Sequence, residues 1–333
     1  MFFVTETLAS GMQFSRFAVA DEPWCVWEWD LAERNLEFIE QLTPDYFEHL
    51  AGVHFQEAEG EQGRLAAVAI RVGYGQALET FFALVFATVQ APDCVAGWLS
   101  RYKVHQLHSL VDAISSNQAI LTKLPLPTFS WDAVANAILS FRLDNPERDR
   151  EVKAAVSRLW ARFAHDFGDK EQSEEYNAIK HGLRIRPGGF TLRHGREDTP
   201  GVAAPPERMQ TIGASKFGCS MLKPEIVGPD KRHFRLRKTS RNWEVKNLTH
   251  GLELLSESIK NVLSFLRILN GVDPAVVPFF YPTDLNEFKE PWRRSVGVTS
   301  WNMDNVVEQT DILPLTPEEI LKVYSSTDPQ SGA

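Results

Sequence analysis

The stretch that decides the fold is GRLAAVAIRVGYGQALETFFALVFATVQ, residues 63–90. Apolar residues recur through it at helical spacing, among them Leu65, Val68 and Val72. Its second half is apolar on nearly every side, which is typical of a helix buried at the centre of a protein. The dipeptide Ala91-Pro92 ends the pattern, because proline disfavours helical backbone in the residue before it. We therefore predict a long central helix with the other elements packed around it.

Further helical patterns lie on both sides of this central helix. They cover residues 93–121 with a break near 102, and residues 131–143, 146–167, 171–184 and 242–269. Near the N-terminus, Trp24, Trp27 and Leu31 also recur at helical spacing. Residues 187–241 contain alternating segments such as His233–Arg237, which predict a small β-meander. The predicted fold class is mainly α, a helical bundle with a small inserted β-meander and an irregular C-terminal extension.

Three regions follow from these patterns. Residues 1–60 form a mixed N-terminal region, and residues 61–270 form the helical bundle with its β insert at about 187–241. Residues 271–333 are expected to wrap the bundle as an irregular extension that ends in a disordered tail.

Composition is that of an ordinary globular protein. The 333 residues are 43% hydrophobic and 24% charged, with a net charge of −9. The three cysteines are far apart, which argues against a disulfide framework and a cysteine-based zinc site. The N-terminus lacks the basic flank of a signal peptide, and the apolar run 77–89 is too short to span a bilayer. We expect a cytoplasmic protein without a membrane partner.

Charge is unevenly distributed along the chain. Residues 180–246 contain 15 Lys or Arg and 6 Asp or Glu, so this segment carries +9 on an acidic protein. Such a block can mark a surface for a polyanion such as RNA. It can equally be a solvated hairpin face whose charges are paired with the acidic bundle.

The segment 174–184, EEYNAIKHGLR, holds the chemically most capable side chains. Asn177 and His181 are four residues apart and share one helix face, and Tyr176 and Lys180 share the neighbouring face. A histidine beside an asparagine can bind a phosphate or act as acid and base near neutral pH. The alternative is a helix end, where basic residues favour the last carbonyl groups before Gly182.

The motif Tyr176-Asn-Ala-Ile-Lys-His181 resembles the signature of HEPN domains, helical bundles found in many prokaryotic toxins and defence nucleases. That signature has an Arg, often followed by Asn, and a His that is separated from the Arg by four to six residues. Asn177 and His181 match, while Tyr176 stands where the family has the Arg. The resemblance implies an RNA-engaging homodimer in a toxin or defence context, either a metal-free ribonuclease or a catalytically degenerate relative. His181 would then be the acid or base, and Asn177 and Lys180 would hold the phosphate.

The remaining candidates extend or compete with this reading. Five basic residues are predicted to guide the substrate strand: Arg184, Arg186, Arg235, Arg237 and Lys238. Glu79, a carboxylate in the apolar central helix, needs a partner such as Lys180 or His181. No cofactor is predicted.

Two other functions remain open at this point. In one, the chain is a non-enzymatic interaction protein, and the motif residues only contribute to packing between helices. In the other, His105, His108 and Asp112, at helical positions i, i+3 and i+7, hold a divalent metal in a hydrolase. No second helix offers a Glu-x-x-His to complete a di-metal site, so we predict no metal and interpret the three residues as the polar flank of an amphipathic helix.

Overall fold

The computed structural model of the protein describes residues 6–7, 11–121, 129–140, 145–182, 184–227, 233–304 and 316–326. Helices account for 55% and strands for 18%, and the described strands form three antiparallel sheets. The prediction of a mainly α bundle with a small β-meander is therefore wrong, and the architecture is mixed α/β. One sheet lies at the N-terminus and another recruits a strand from the C-terminal region. Local periodicity is a poor guide to both.

The N-terminal region begins with a three-stranded sheet. It consists of β1 (Glu6–Thr7), β2 (Gln13–Val19) and β3 (Glu22–Glu28), in that spatial order. Trp24 pairs with Phe17 across the β2–β3 ladder, whereas Trp27 points to solvent and is 62% exposed. The helical interpretation of Trp24 and Trp27 is therefore wrong, because the period that matters here is the two-residue alternation of a strand.

Ten helices follow in the described part of the chain: α1 (Leu31–Gln41), α2 (Asp45–Ala58), α3 (Gly63–Gln90), α4 (Val95–Leu99), α5 (Val104–Ser115), α6 (Trp131–Ile138), α7 (Pro146–Gly168), α8 (Lys170–Lys180), α9 (Val245–Leu269) and α10 (Pro317–Ser326). Helix α3 packs chiefly against α2 and α9, and the predicted central helix is confirmed. By length and composition α3 could cross a membrane, but 72% of its most apolar window is buried inside the protein.

Aromatic side chains join α3 to the helices that carry the candidate site. Phe81 contacts Trp160 and Phe163 on α7, with ring centroids 5.3 Å and 6.2 Å away. Phe82 contacts Phe167 at the end of α7, at 5.1 Å. Each of these rings is buried, and burial of one such side chain contributes about 1.5–3 kcal/mol. This packing fixes the end of α7, and therefore the start of α8, against the middle of α3.

The remaining strands follow α8. They are β4 (Arg186–Pro187), β5 (Thr191–His194), β6 (Gln210–Ala214), β7 (Gly218–Val227), β8 (His233–Asn242) and β9 (Ser300–Met303). Strands β5 and β6 pair with each other, and the other four form a sheet in the order β4-β7-β8-β9. Strands β4 to β8 occupy about the residues of the predicted insert, 187–241, but they belong to two different sheets and not to one small meander. The C-terminal extension is not wholly irregular, because it supplies β9 and α10. The predicted disordered tail after about residue 325 falls almost entirely on 327–333, outside the described residues.

The β7–β8 hairpin has its polarity inverted relative to the half-buried strand that the sequence predicts. Four apolar side chains of the hairpin and one of β9 are more than half exposed: Leu222, Ile226, Phe234, Leu236 and Met303. We call these five residues the hairpin face. The opposite face is turned toward the protein, since Lys223 there forms an ion pair with Glu174 of α8 at 2.6 Å.

Candidate functional site

Helix α8 begins and ends where its sequence dictates. The Asp169 side chain accepts a hydrogen bond from the backbone N–H of Gln172 at 3.0 Å and caps the first turn. At the other end, the backbone N–H of His181 donates to the Asn177 carbonyl at 3.0 Å. Gly182 then adopts a φ of +112°, which a residue with a side chain rarely tolerates. His181 is therefore the last residue held by the helix, and its side chain is exposed.

A glycine on α3, Gly75, determines where the ring of Tyr176 lies. A Cβ atom built on Gly75 would come within 2.5 Å of the Tyr176 ring, a separation that real Cβ contacts do not show. The ring therefore fills space that only a glycine leaves open. This contact fixes the position of α8 along the axis of α3. Asn177 and Lys180, which follow Tyr176 on α8, therefore face one shared opening.

That opening is a cleft of about 330 Å³ between α3, α5, α7 and α8. The chemically active side chains that line it are Arg71, Glu79, His108, Asp166, Tyr176, Asn177, Lys180 and His181. The cleft brings together all four residues of the predicted motif and Glu79. It also contains His108, which the sequence placed in a different group.

Glu79 is the hub of the hydrogen bonds in the cleft. Lys180 Nζ lies 3.1 Å from its Oε2, so the structure pairs Glu79 with one of its two expected partners. The hydroxyl groups of Tyr102 and Tyr176 donate to the two carboxylate oxygens at 3.4 Å and 3.5 Å. Burial, followed by the negative charge of Glu79, raises the pKa of Tyr102 to about 12 and raises that of Tyr176 as well. Both phenols therefore keep their protons at neutral pH and serve as hydrogen-bond donors.

His108 faces the cleft in an apolar setting. Its ring stacks on Phe167 with centroids 4.2 Å apart and an interplanar angle of 14°. Burial lowers the pKa of His108, although the charges of Asp112 and Glu79 oppose this shift. The imidazole is therefore neutral at neutral pH and can accept a proton. The sequence signal for this placement was present, since His108 is next to Leu107 and Val111, the buried stripe of α5.

His105 and Asp112 on the same helix are exposed, whereas His108 is half-buried. Among the described residues, no group of three or more His, Cys, Asp or Glu side chains is arranged to hold a metal ion.

A buried ion pair between α3 and α8 supports the cleft, and the sequence patterns do not predict it. The guanidinium of Arg71 contacts the carboxylate of Glu175, and both side chains are almost fully buried. Glu175 also accepts a hydrogen bond from Trp243 Nε1 at 3.2 Å and pairs with Arg241 at 3.3 Å. Nothing local marks this pairing, since 104 residues separate Arg71 and Glu175. Breaking such a pair leaves an uncompensated buried charge, so it holds α8 rigidly on α3.

The predicted strand-guiding residues do not act as one surface. Arg235 and Arg237 both pair with Glu225, at 2.6 Å and 3.0 Å, and Arg237 also pairs with Asp304 at 2.5 Å. Lys238 is exposed on the opposite face of β8, because side chains alternate along a strand. The charges on β8 thus match the alternative in which the basic block is neutralised within the protein.

Two of the predicted basic residues follow the cleft residue His181 in the chain. Arg184 and Arg186 lie three and five positions after it, both are exposed, and neither forms an ion pair with any residue that the structure describes. Neither of them lines the cleft. Arg184 and Arg186, rather than the paired Arg235 and Arg237, thus carry exposed positive charge close in sequence to the cleft.

Comparison with protein-family models gives no match, and comparisons with curated proteins and with solved structures give none either. The resemblance to HEPN domains therefore rests on the motif residues alone.

Proposed function

We propose that the cleft is an acid–base site that binds and cleaves RNA without a metal ion. One observation carries the proposal: two histidines in contrasting environments, His108 and His181, open on one cleft that also holds Lys180. Cleavage of RNA needs a base for the 2′-hydroxyl proton and an acid for the leaving 5′-oxygen, and a pair of imidazoles can supply both.

The environments assign the roles. His108 takes the proton from the 2′-hydroxyl, because burial holds this imidazole in its neutral form. The 2′-oxygen then attacks phosphorus, the bond from phosphorus to the 5′-oxygen breaks, and protonated His181 gives its proton to that oxygen. The products are a 2′,3′-cyclic phosphate and a 5′-hydroxyl, so no water or cofactor is consumed.

The other cleft residues position the phosphate. Lys180 provides a positive charge within reach of the non-bridging oxygens once it leaves Glu79, and the Tyr176 hydroxyl provides a neutral donor. Tyr176 stands where HEPN domains have an Arg, so the site has one fixed charge fewer than the family pattern. Arg184 and Arg186 attract the strand toward the mouth of the cleft.

A cleavage assay tests this proposal with matched variants. Purified protein is incubated with a fluorescent single-stranded RNA in excess EDTA, beside the same oligonucleotide made of DNA. His108→Ala and His181→Ala should each slow cleavage by about 100-fold or more. His105→Ala removes an exposed histidine from the same helix as His108 and should leave the rate unchanged. Equal rates for all four proteins, or cleavage of the DNA, would exclude the proposed site.

The hairpin face favours a second function, association with another protein chain. We infer that its occupant is a second copy of this chain, because an apolar sheet face can pack against its own copy by two-fold symmetry. Lys238 is the one charged side chain at the paired positions along this face, and its long apolar stem can lie flat while its amino group stays in water. This homodimer would form through β7 and β8 and leave the cleft open, and it differs from the pairing across the motif that the resemblance to HEPN domains implies.

A further inference from the structure

A cavity larger than the cleft lies away from it. It has a volume of about 830 Å³ and opens between the N-terminal sheet, the end of α3, helix α6 and the end of α9. Its lining is mostly apolar and includes Phe17, Val89, Ile138 and Phe265, one from each of these elements. Val89 is ten residues beyond Glu79 on α3, so roughly 15 Å of helix separates this cavity from the cleft.

Such a space is unusual for a packed interior. Protein cores contain few voids larger than a water molecule, because empty volume forfeits dispersion contacts. Cavities of about 300–1,000 Å³ with apolar walls and a few polar groups are instead typical of small-molecule sites. The walls come chiefly from four regular elements, together with loop residues such as Asp93, Ile120 and Phe129.

Two polar atoms among the lining residues have no partner. Trp24 Nε1 is a buried donor, and Asp93 Oδ1 is a buried acceptor, and neither has a hydrogen-bond partner within the described part of the chain. A buried polar atom without a partner costs about 1–3 kcal/mol, so native proteins rarely leave one. Trp24 lines the cavity from β3, and Asp93 lines it from the turn after α3.

We propose that this cavity binds a small, mainly apolar molecule that carries a hydroxyl group. The hydroxyl oxygen accepts a hydrogen bond from Trp24 Nε1, and its proton is donated to the Asp93 carboxylate. The apolar skeleton fills the space between Phe17, Val89 and Phe265. This site is independent of the cleft and of any activity there.

Binding is tested with N-phenyl-1-naphthylamine, an uncharged probe whose fluorescence rises in apolar sites. The wild-type protein should give a saturable signal with one site per chain. Ala133 and Ala137 line the cavity one turn apart on α6, and both are exposed. Ala133→Trp or Ala137→Trp should therefore fill the cavity and weaken the affinity for the probe at least tenfold. Asn136→Trp places the same ring on the same helix outside the cavity lining and should have no effect.

The hydroxyl requirement is tested by competition against the bound probe. On the wild type, 2-naphthol should displace the probe at least tenfold better than 2-methylnaphthalene, which has the same shape without the hydroxyl. Asp93→Leu should abolish this preference while the probe still binds. Phe234→Ser on the hairpin face controls for binding at that exposed apolar surface and should change neither result.

Cys25 gives an independent readout of location. It lines the cavity and is exposed, whereas Cys94 and Cys219 are buried, so a thiol reagent should modify Cys25 first. Saturating 2-naphthol should slow this modification in the wild type and not in Ala137→Trp. The proposal is overturned if the probe does not saturate, if both α6 tryptophan variants bind it as the wild type does, or if Cys25 is not protected.

Discussion

Gly75 and Tyr176 show how one residue on a central helix fixes a site on another. The tyrosine ring occupies the volume that a side chain at position 75 would take, and its hydroxyl reaches Glu79 one turn further along α3. The four-residue spacing of Glu79 and Gly75 therefore matches the reach of a tyrosine laid along the helix. This contact also orients the motif residues that follow Tyr176 on α8.

Gly75→Ala should destabilise the protein despite the higher helix propensity of alanine. The new Cβ would displace the Tyr176 ring, and overpacking of this kind typically costs about 1–3 kcal/mol. Gly52→Ala is the matched control, because a Cβ there meets nothing within 4 Å on helix α2. The control should gain up to about 1 kcal/mol. Urea unfolding of both variants measures the difference, and equal effects at the two sites would contradict the packing described for Tyr176.

His108 should make the protein less stable at mildly acidic pH. Its pKa in the folded protein is lowered, so the unfolded chain, with a pKa of about 6.5, takes up the proton first as the pH falls. The stability contributed by the neutral imidazole is thus present above about pH 6.5 and is lost as the pH falls through the folded-state pKa. His108→Gln should remove this part of the pH dependence.

The measurement for His108 is the free energy of unfolding at neutral and mildly acidic pH, taken as the difference between wild type and variant. His250 has a raised pKa because of a hydrogen bond to Glu253, and the subtraction removes its opposite contribution. His105→Gln reports the effect of removing an exposed histidine from the same helix. If the stability of the wild type relative to His108→Gln increased toward acidic pH, His108 would not be held neutral.

At the scale of elements, the sequence identifies those whose signals are local. Helix α8 is predictable because Asp169 caps it and Gly182 ends it, and α3 is predictable from its length and apolar character. Strand β3 is not, because Trp24 and Trp27 fit a helical period as well as a strand. Strand β9 is not either, because its pairing with β8 joins residues more than 60 positions apart, as Lys238 and Met303 do.

The candidate site follows the same rule. Asn177, Lys180 and His181 could be found from spacing within one helix, and a partner for Glu79 from the cost of burying a carboxylate. The Arg71–Glu175 pair could not, since it depends on how α8 docks on α3. For His108, the apolar stripe of α5 indicates partial burial, but its position in the cleft depends on how α5 docks on α3. The polarity of β8 was misjudged because alternation defines two faces but does not say which one is turned to the protein.

Two pairs of arginines, one just before the insert and one within it on β8, should behave differently toward RNA. Arg184→Ala with Arg186→Ala should weaken RNA binding and reduce the slope of log affinity against log salt by about 1.4, which corresponds to two phosphate contacts on a single strand. Arg235→Ala with Arg237→Ala should leave the slope unchanged and lower the thermal midpoint, because Glu225 and Asp304 lose their partners. Filter binding at several salt concentrations, beside thermal melts, separates the two. A reversed pattern would place the RNA on β8 instead.

For the whole molecule, the hairpin face should govern association. If two copies pack through this face, the wild type should sediment as a dimer, and Phe234→Lys with Leu236→Lys should give a folded monomer, because buried like charges oppose the contact. Leu65→Lys removes an exposed apolar side chain from α3 and should leave the dimer intact. Analytical ultracentrifugation of the three proteins decides the matter. A monomeric wild type at all concentrations would exclude the second copy as occupant.

The cleft between α3, α5 and α8 is most directly tested by observing its two histidines while RNA binds. Protein with ¹⁵N-labelled histidine is titrated with a single-stranded RNA whose 2′-hydroxyls are methylated, so that it binds without being cut. The nine histidines are assigned from single substitutions. The imidazole signals of His108 and His181 should shift together and saturate at one concentration, while those of His105 and His165, which are exposed outside the cleft lining, stay in place. Saturable RNA binding that leaves both His108 and His181 unshifted would contradict the assignment of the cleft as the RNA site.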